Sequence, residues 1–148
     1  MLELSAEEAE IVAAEASAAA GVLPGPRKEQ ALALAGHASD GALPDDLVAT
    51  LEQIIGASLQ GGRARQLYKA EGERVLTRLL ARTPGGQRRQ EDLDAVNRAL
   101  RSLGGRVLDG VTVAMRAPGH FTVSLQTEGV GVVLVVRPDG VAVESLTA

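Results

Sequence analysis

The stretch EGVGVVLVVRPDGVAVESL, residues Glu128–Leu146, decides the fold class because it combines two signals of an antiparallel sheet. RPDG, at residues 137–140, has Pro and Gly placed for a tight turn. The VVLVV segment before that turn is apolar on both sides, and VAVESL follows it directly. Because a short connection joins antiparallel neighbours, the stretch predicts two paired strands.

The alternating pattern extends upstream to residue 105. Residues 111–116 read VTVAMR and residues 121–126 read FTVSLQ, so apolar side chains recur at every second position. The APG and EGVG sequences supply turns between these segments. The pattern predicts a C-terminal antiparallel β-meander of three to five strands.

Helical spacing replaces the alternation before residue 105, and Pro and Gly divide this part into four or five helices. Ser5 and Glu8 have the spacing of a capping box, which predicts the start of the first helix. TPGGQ, at residues 83–87, is expected to be a loop. The expected helices cover residues 5–20, about 26–37, 44 to about 60, about 63–82 and about 91–103. The predicted fold class is therefore α+β.

Two regions follow from this division. Residues 1–60 form an acidic, Ala-rich helical region, and residues 61–148 form an α+β region of two helices and the sheet. The two regions could also make one continuous domain. The doubly apolar strand needs cover on both faces, from helices, a second sheet or a second chain, so a homodimer is one expected arrangement.

Charge is distributed unevenly along the chain. Residues 1–62 hold ten acidic and two basic side chains, a net charge of −8, whereas residues 63–106 hold eleven basic and five acidic ones, a net charge of +6. The rest carries −2, and the whole chain −4. This asymmetry indicates either that the acidic and basic helices complement each other within the fold or that the basic segment faces a partner.

The candidate partner-binding residues are arginines of the basic segment. They are Arg74, Arg78, Arg82, Arg88, Arg89, Arg98 and Arg101. Several have an acidic residue three or four positions away, as on many solvated helix faces. The expected partner is an acidic protein surface or a second copy of the chain.

Motifs of catalysis and metal binding are absent from the sequence. The chain has no Cys, no Walker A pattern and no GxSxG elbow, and its two histidines, His37 and His120, stand alone. We therefore expect neither a cofactor nor an enzymatic activity. An acidic N-terminus and short apolar runs predict a cytoplasmic protein with no signal peptide and no membrane span. Thirteen Arg against two Lys, with abundant Ala, suggest a GC-rich bacterial origin.

Three functions are compatible with these features, and the least favoured is a small enzyme that uses only Arg and carboxylates. The favoured prediction is a non-enzymatic protein-binding or oligomerising module. The alternative is a nucleic-acid-binding protein that uses residues 63–106 in a winged-helix-like order of two helices and a hairpin. Glu91, Asp92 and Asp94 would crowd the end of its recognition helix, and phosphate binding depends on positive charge.

Overall fold

The computed structural model describes all residues from Met1 to Ala148 and has an α+β fold, which confirms the predicted class. The helices are α1 (Ala6–Ala20), α2 (Gly25–Ser39), α3 (Asp45–Gln60), α4 (Arg63–Ala81) and α5 (Pro84–Arg101). The strands are β1 (Leu2–Glu3), β2 (Ala42–Leu43), β3 (Leu108–Ala117), β4 (His120–Thr127), β5 (Val130–Arg137) and β6 (Gly140–Thr147). None of the helices combines the length and the apolar composition that crossing a bilayer requires.

The chain forms two compact units, Met1–Gly86 and Gln87–Ala148. The division lies in the first turn of α5, whereas the sequence pattern predicted a regional boundary after residue 60. Helix α4 packs on α1 and α3, and this packing makes it part of the first unit.

In the first unit, α1 to α4 enclose an aliphatic core. The capping box of α1 is confirmed, since Ser5 Oγ accepts from the Glu8 amide at 3.2 Å and the Glu8 carboxylate accepts from the Ser5 amide at 2.8 Å. The β1–β2 pair, which the sequence did not predict, brings Leu2 opposite Leu43. The fully buried core side chains include Val12, Leu34, Leu51, Ile55, Leu76 and Leu79.

Helix α4 is kinked at Lys69, whose φ of 62° and ψ of −170° interrupt the helical geometry. This backbone conformation is rarely adopted by residues other than Gly and stores strain. Gly72 follows within one turn, and a Cβ atom there would lie 2.2 Å from the Cβ of Tyr68. The close neighbours of Gly72 are the side chains of Tyr68 and Ile11.

The second unit holds the sheet, with strands in the order β3-β4-β5-β6 and all neighbours antiparallel. This arrangement is the predicted meander. The C-terminal part of α5 packs on one sheet face, where Val96 and Ala99 join Val132 and Leu134 in a buried cluster. One face of the doubly apolar strand β5 is therefore covered within the unit.

The predicted loop over residues 83–87 is wrong, because α5 begins at Pro84 and not near Glu91. Thr83 Oγ1 accepts from the Gly86 amide at 3.1 Å, as an N-cap does. Glu52 of α3 accepts from the Gly85 amide at 2.7 Å. Gly86 is needed for close approach, since a Cβ there would lie 1.8 Å from the Leu80 carbonyl oxygen, whereas a Cβ at Gly85 would meet only the movable end of the Glu52 side chain, at 2.6 Å.

Candidate functional site

The predicted partner-binding arginines are all exposed, and they are divided between the two units. Three of them, Arg74, Arg78 and Arg82, belong to the first unit. The other four, Arg88, Arg89, Arg98 and Arg101, belong to the second unit and lie on α5. Neither unit alone therefore holds the whole predicted set.

Two of the seven arginines form ion pairs. Arg82 donates through Nη2 to both carboxylate oxygens of Glu8, at 2.7 and 2.8 Å, and through Nη1 to the Glu3 carbonyl at 3.1 Å. Arg74 lies 3.7 Å from Glu71 in a fully solvated pair. The Arg82 contacts tie α4 to α1, as expected where acidic and basic helices complement each other. The remaining five predicted arginines form no ion pair.

A second polar centre in the first unit surrounds Glu15 of α1, which is only 3 % exposed. Arg63 donates through Nε to both of its carboxylate oxygens, at 3.0 and 3.2 Å. Tyr68 donates its hydroxyl to Oε1 at 2.7 Å. The start of α4 and the residue before its kink are thus both anchored on one buried carboxylate.

Burial would raise the pKa of Glu15, but the hydrogen bonds from Tyr68 and Arg63, together with the nearby Ser58 hydroxyl, outweigh it and lower that pKa below its usual 4.5. Burial, together with the hydrogen bond to Glu15, raises the pKa of Tyr68 to about 12. Glu15 is therefore ionised and Tyr68 protonated at neutral pH. Ser58 is close enough to Glu15 to help to lower its pKa, yet its Oγ makes no hydrogen bond of regular geometry.

This centre was not among the predicted sites, although the sequence of α1 contains a signal for it. Glu8, Ile11, Val12, Glu15 and Ala16 lie at the spacing i, i+3, i+4, i+7 and i+8, which places them on one helix face. All five are buried. Two glutamates inside an apolar stripe require cationic or hydrogen-bonding partners, because an unpaired buried carboxylate is costly.

In the second unit, the most exposed apolar surface is β3. This strand forms one edge of the sheet, and all ten of its residues are exposed. Val111, Val113 and Met115 lie opposite Leu125, Val123 and Phe121 of β4 and share their face, since directly paired residues point to the same side. The face that α5 covers farther along the sheet therefore continues, uncovered, onto β3.

A single ion pair links the two edge strands of the sheet. Arg116 of β3 contacts Glu144 of β6, although β4 and β5 lie between these strands. Glu144 lies where the β5–β6 register shifts, between the pairs that Val133 and Leu134 form. This ion pair connects β3 to β6, the opposite edge of the sheet.

The two histidines lie in different units. His37 is in the last turn of α2, and His120 begins β4 opposite Ala117. No three His, Asp or Glu side chains converge as a group of metal ligands. Comparison of the chain with family models, with curated proteins and with solved structures gives no match.

Proposed function

We propose that the chain is a non-enzymatic assembly module that forms a homodimer by pairing the β3 edges of two copies. The observation that carries this proposal is the complete exposure of an edge strand ten residues long. Val113, at its centre, is 63 % exposed. The outer edge of such a strand presents backbone donors and acceptors that another strand can pair with.

Residues 110–115 of the β3 edge lack the features that usually prevent strands from pairing between molecules, since the register shifts and the charged residues of β3 lie at its two ends. Protective edge strands are short, contain Pro or Lys, or are covered by another element. The sequence LDGVTVAMRA, residues 108–117, contains neither Pro nor Lys. Its outward apolar side chains would gain burial from a partner, which supports an interface rather than a solvated edge.

Charge favours a second copy, in antiparallel orientation, as the occupant of this edge. The only charged residues of β3 are Asp109 and Arg116, which have opposite signs and lie near opposite ends. Antiparallel pairing of two copies would bring each Asp109 towards Arg116 of the partner subunit, whose guanidinium also contacts Glu144 of its own sheet. Opposite charges on facing strands stabilise a pair, whereas parallel pairing would place like charges together.

Light scattering coupled to size-exclusion chromatography of the full chain, over a concentration series, tests this proposal. We expect a dimer for the wild type and a monomer for Val113→Lys, because the new charge would be buried at the centre of the interface. The matched control is Leu146→Lys. Leu146 is also an aliphatic residue on an edge strand and is 51 % exposed, but it lies on β6. This variant should remain a dimer.

Three results would contradict the proposal. They are a wild-type monomer at every concentration, a Val113→Lys dimer as tight as the wild type, and a monomer for Leu146→Lys alone. Circular dichroism of each variant separates loss of association from loss of folding. If both variants stay dimeric, the interface lies elsewhere and the β3 edge is not used.

The same chromatography addresses the nucleic-acid alternative. The chain has no Trp and one Tyr, so bound nucleic acid would dominate the ultraviolet spectrum of the peak. We expect a spectrum of protein alone. A nucleic-acid spectrum that is lost with added salt would instead favour phosphate binding by the arginines, because such binding weakens steeply as salt rises.

A further inference from the structure

The first unit contains a groove of about 440 Å³ that is unrelated to the sheet edge. It lies among the end of α1, the α1–α2 connection, α2, α3 and the first residue of α4. Its apolar wall consists of Ala18, Ala19, Val22, Leu23, Ile54 and Ala57. Its volume lies within the range of about 300–1,000 Å³ that is usual for small-molecule sites.

An unpartnered polar group lies in the groove. Ser58 lines it and is 4 % exposed, and its Oγ is the one buried side-chain polar atom in the structure that lacks a hydrogen-bond partner. Buried polar groups in folded proteins nearly always have partners. A ligand atom that entered the groove would supply one.

Positive charge at the groove exceeds negative charge. Glu15, Arg27 and Arg63 are the charged residues of its lining. Arg63 donates to the Glu15 carboxylate through its Nε only. The terminal Nη groups of Arg63 make no hydrogen bond. Arg27 forms no ion pair. Two guanidinium groups with free donors therefore stand beside an apolar wall.

We infer that this groove binds a small amphipathic carboxylate, a free organic acid with an aliphatic body and a single carboxylate head. The body would lie against the Ala, Val, Leu and Ile side chains of the wall. Arg27 and the Nη groups of Arg63 would hold the head, because guanidinium and carboxylate match in charge and in planar geometry. The Ser58 hydroxyl is an additional donor, and Glu15 acts as a positioning residue that orients Arg63.

Other small ligands match the lining less well. An alkylammonium ion would meet the charges of Arg27 and Arg63, and an uncharged alcohol would leave them without an anion. A polyphosphate would have no apolar body for the wall. The ionised Glu15 offsets one of the two arginine charges, so the groove keeps a net positive charge beside its aliphatic wall, which specifies one anionic head.

Isothermal titration calorimetry of the full chain with decanoate, decanol and decylamine, below the concentration at which each forms micelles, tests the inference. We expect saturable binding of decanoate and at least about tenfold weaker binding of the other two, since the head group would contribute a charge-assisted pair. Arg27→Gln should weaken decanoate about tenfold and leave decanol unchanged. Ala57→Phe should abolish binding by filling the groove.

The matched control is Arg74→Gln, which removes an exposed arginine of the same unit that does not line the groove. It should bind decanoate like the wild type. Equal affinity for decanoate and decanol, equal losses in both arginine variants, or no saturable binding would each overturn the inference. So would co-sedimentation with phosphatidylglycerol vesicles without decanoate binding, because the head group would then come from a membrane surface. Circular dichroism verifies that Ala57→Phe is folded, and Arg27→Gln tests the site without filling it.

Discussion

Tyr68 donates its hydroxyl to Oε1 of Glu15 at 2.7 Å, across a separation of 53 residues in the chain. This hydrogen bond connects the residue before the α4 kink with the buried face of α1. Its electrostatic consequence is reciprocal, because the same contact lowers the pKa of the carboxyl and raises that of the phenol. This hydrogen bond can therefore be followed through the pKa of either Glu15 or Tyr68.

Titration of Tyr68 should show a pKa of about 12 in the folded protein, against 10.0 for an ordinary tyrosine. Because the folded state holds this proton more tightly than the unfolded state does, the stabilisation is complete below 10.0 and is lost as the pH rises towards 12. Tyr68 is the only tyrosine, so the ultraviolet absorbance of phenolate reports this group alone.

The control for this titration is the same measurement in concentrated urea, where the pKa should return to its ordinary value. Tyr68→Phe should lower the free energy of unfolding at neutral pH by about 1.5 kcal/mol, since a hydrogen bond to a charged group is lost. It should also remove most of the loss of stability above 10.0. A folded-state pKa equal to that in urea would show that the contact is absent in solution.

Removal of the buried Glu15 carboxylate should lower the free energy of unfolding more than removal of the exposed Glu71 carboxylate. Glu15→Ala leaves Arg63 and Tyr68 without their acceptor, and we expect a loss of about 2–3 kcal/mol in urea denaturation. Glu71→Ala, which removes the exposed partner of Arg74, should cost less than about 0.5 kcal/mol. Equal costs for the two variants would mean that the Glu15 centre contributes no special stability.

The lowered pKa of Glu15 also predicts that stability depends on pH in the acid range. The pKa of Glu15 is lowered in the folded state, so its stabilisation is present above its usual 4.5 and is lost as the pH falls through the lowered value. The difference between wild type and Glu15→Gln should therefore shrink below 4.5. Unfolding free energies measured from neutral to acidic pH would show it, and a difference that stays constant into strong acid would contradict it.

The sheet was predictable from the sequence because each of its signals is local. Alternation in residues 111–116 and 121–126 and the turn at 137–140 all act within a few positions. The start of α5 was not predictable in this way, since Pro84, Gly85 and Gly86 have low helix propensity. The Thr83 cap and the tertiary contact with Glu52 determine it, and 33 residues separate Gly85 from Glu52.

The polar centre around Glu15 could not be predicted from the sequence for a related reason. The charge map correctly indicated that acidic and basic helices could meet, but it could not pair Glu15 with Arg63 across 48 residues. Several acidic and basic residues had equivalent local surroundings. Burial of Glu15 distinguishes it from the solvated Glu71, and burial is a property of the packed helices.

The kink at Lys69 predicts a stabilising substitution. Because φ is 62° and ψ is −170°, Lys69→Gly should relieve backbone strain and raise the free energy of unfolding by about 1 kcal/mol. Lys69→Ala serves as the control, because it removes the same side chain but keeps the Cβ, and it should give no gain. Thermal and urea denaturation would measure both, and equal effects would show that the strain is absent.

Substitutions of Thr83 test whether its two hydrogen bonds stabilise the junction between α4 and α5. Its side chain is almost fully buried, donates to the Leu80 carbonyl at 2.7 Å and accepts from the Gly86 amide at 3.1 Å. Thr83→Val preserves the shape but removes both hydrogen bonds, so it should lower the free energy of unfolding by about 1–2 kcal/mol. Thr83→Ser keeps the hydroxyl and should recover much of that loss. Amide hydrogen exchange at Gly86 would locate the effect, and unchanged exchange in Thr83→Val would show that another group caps α5.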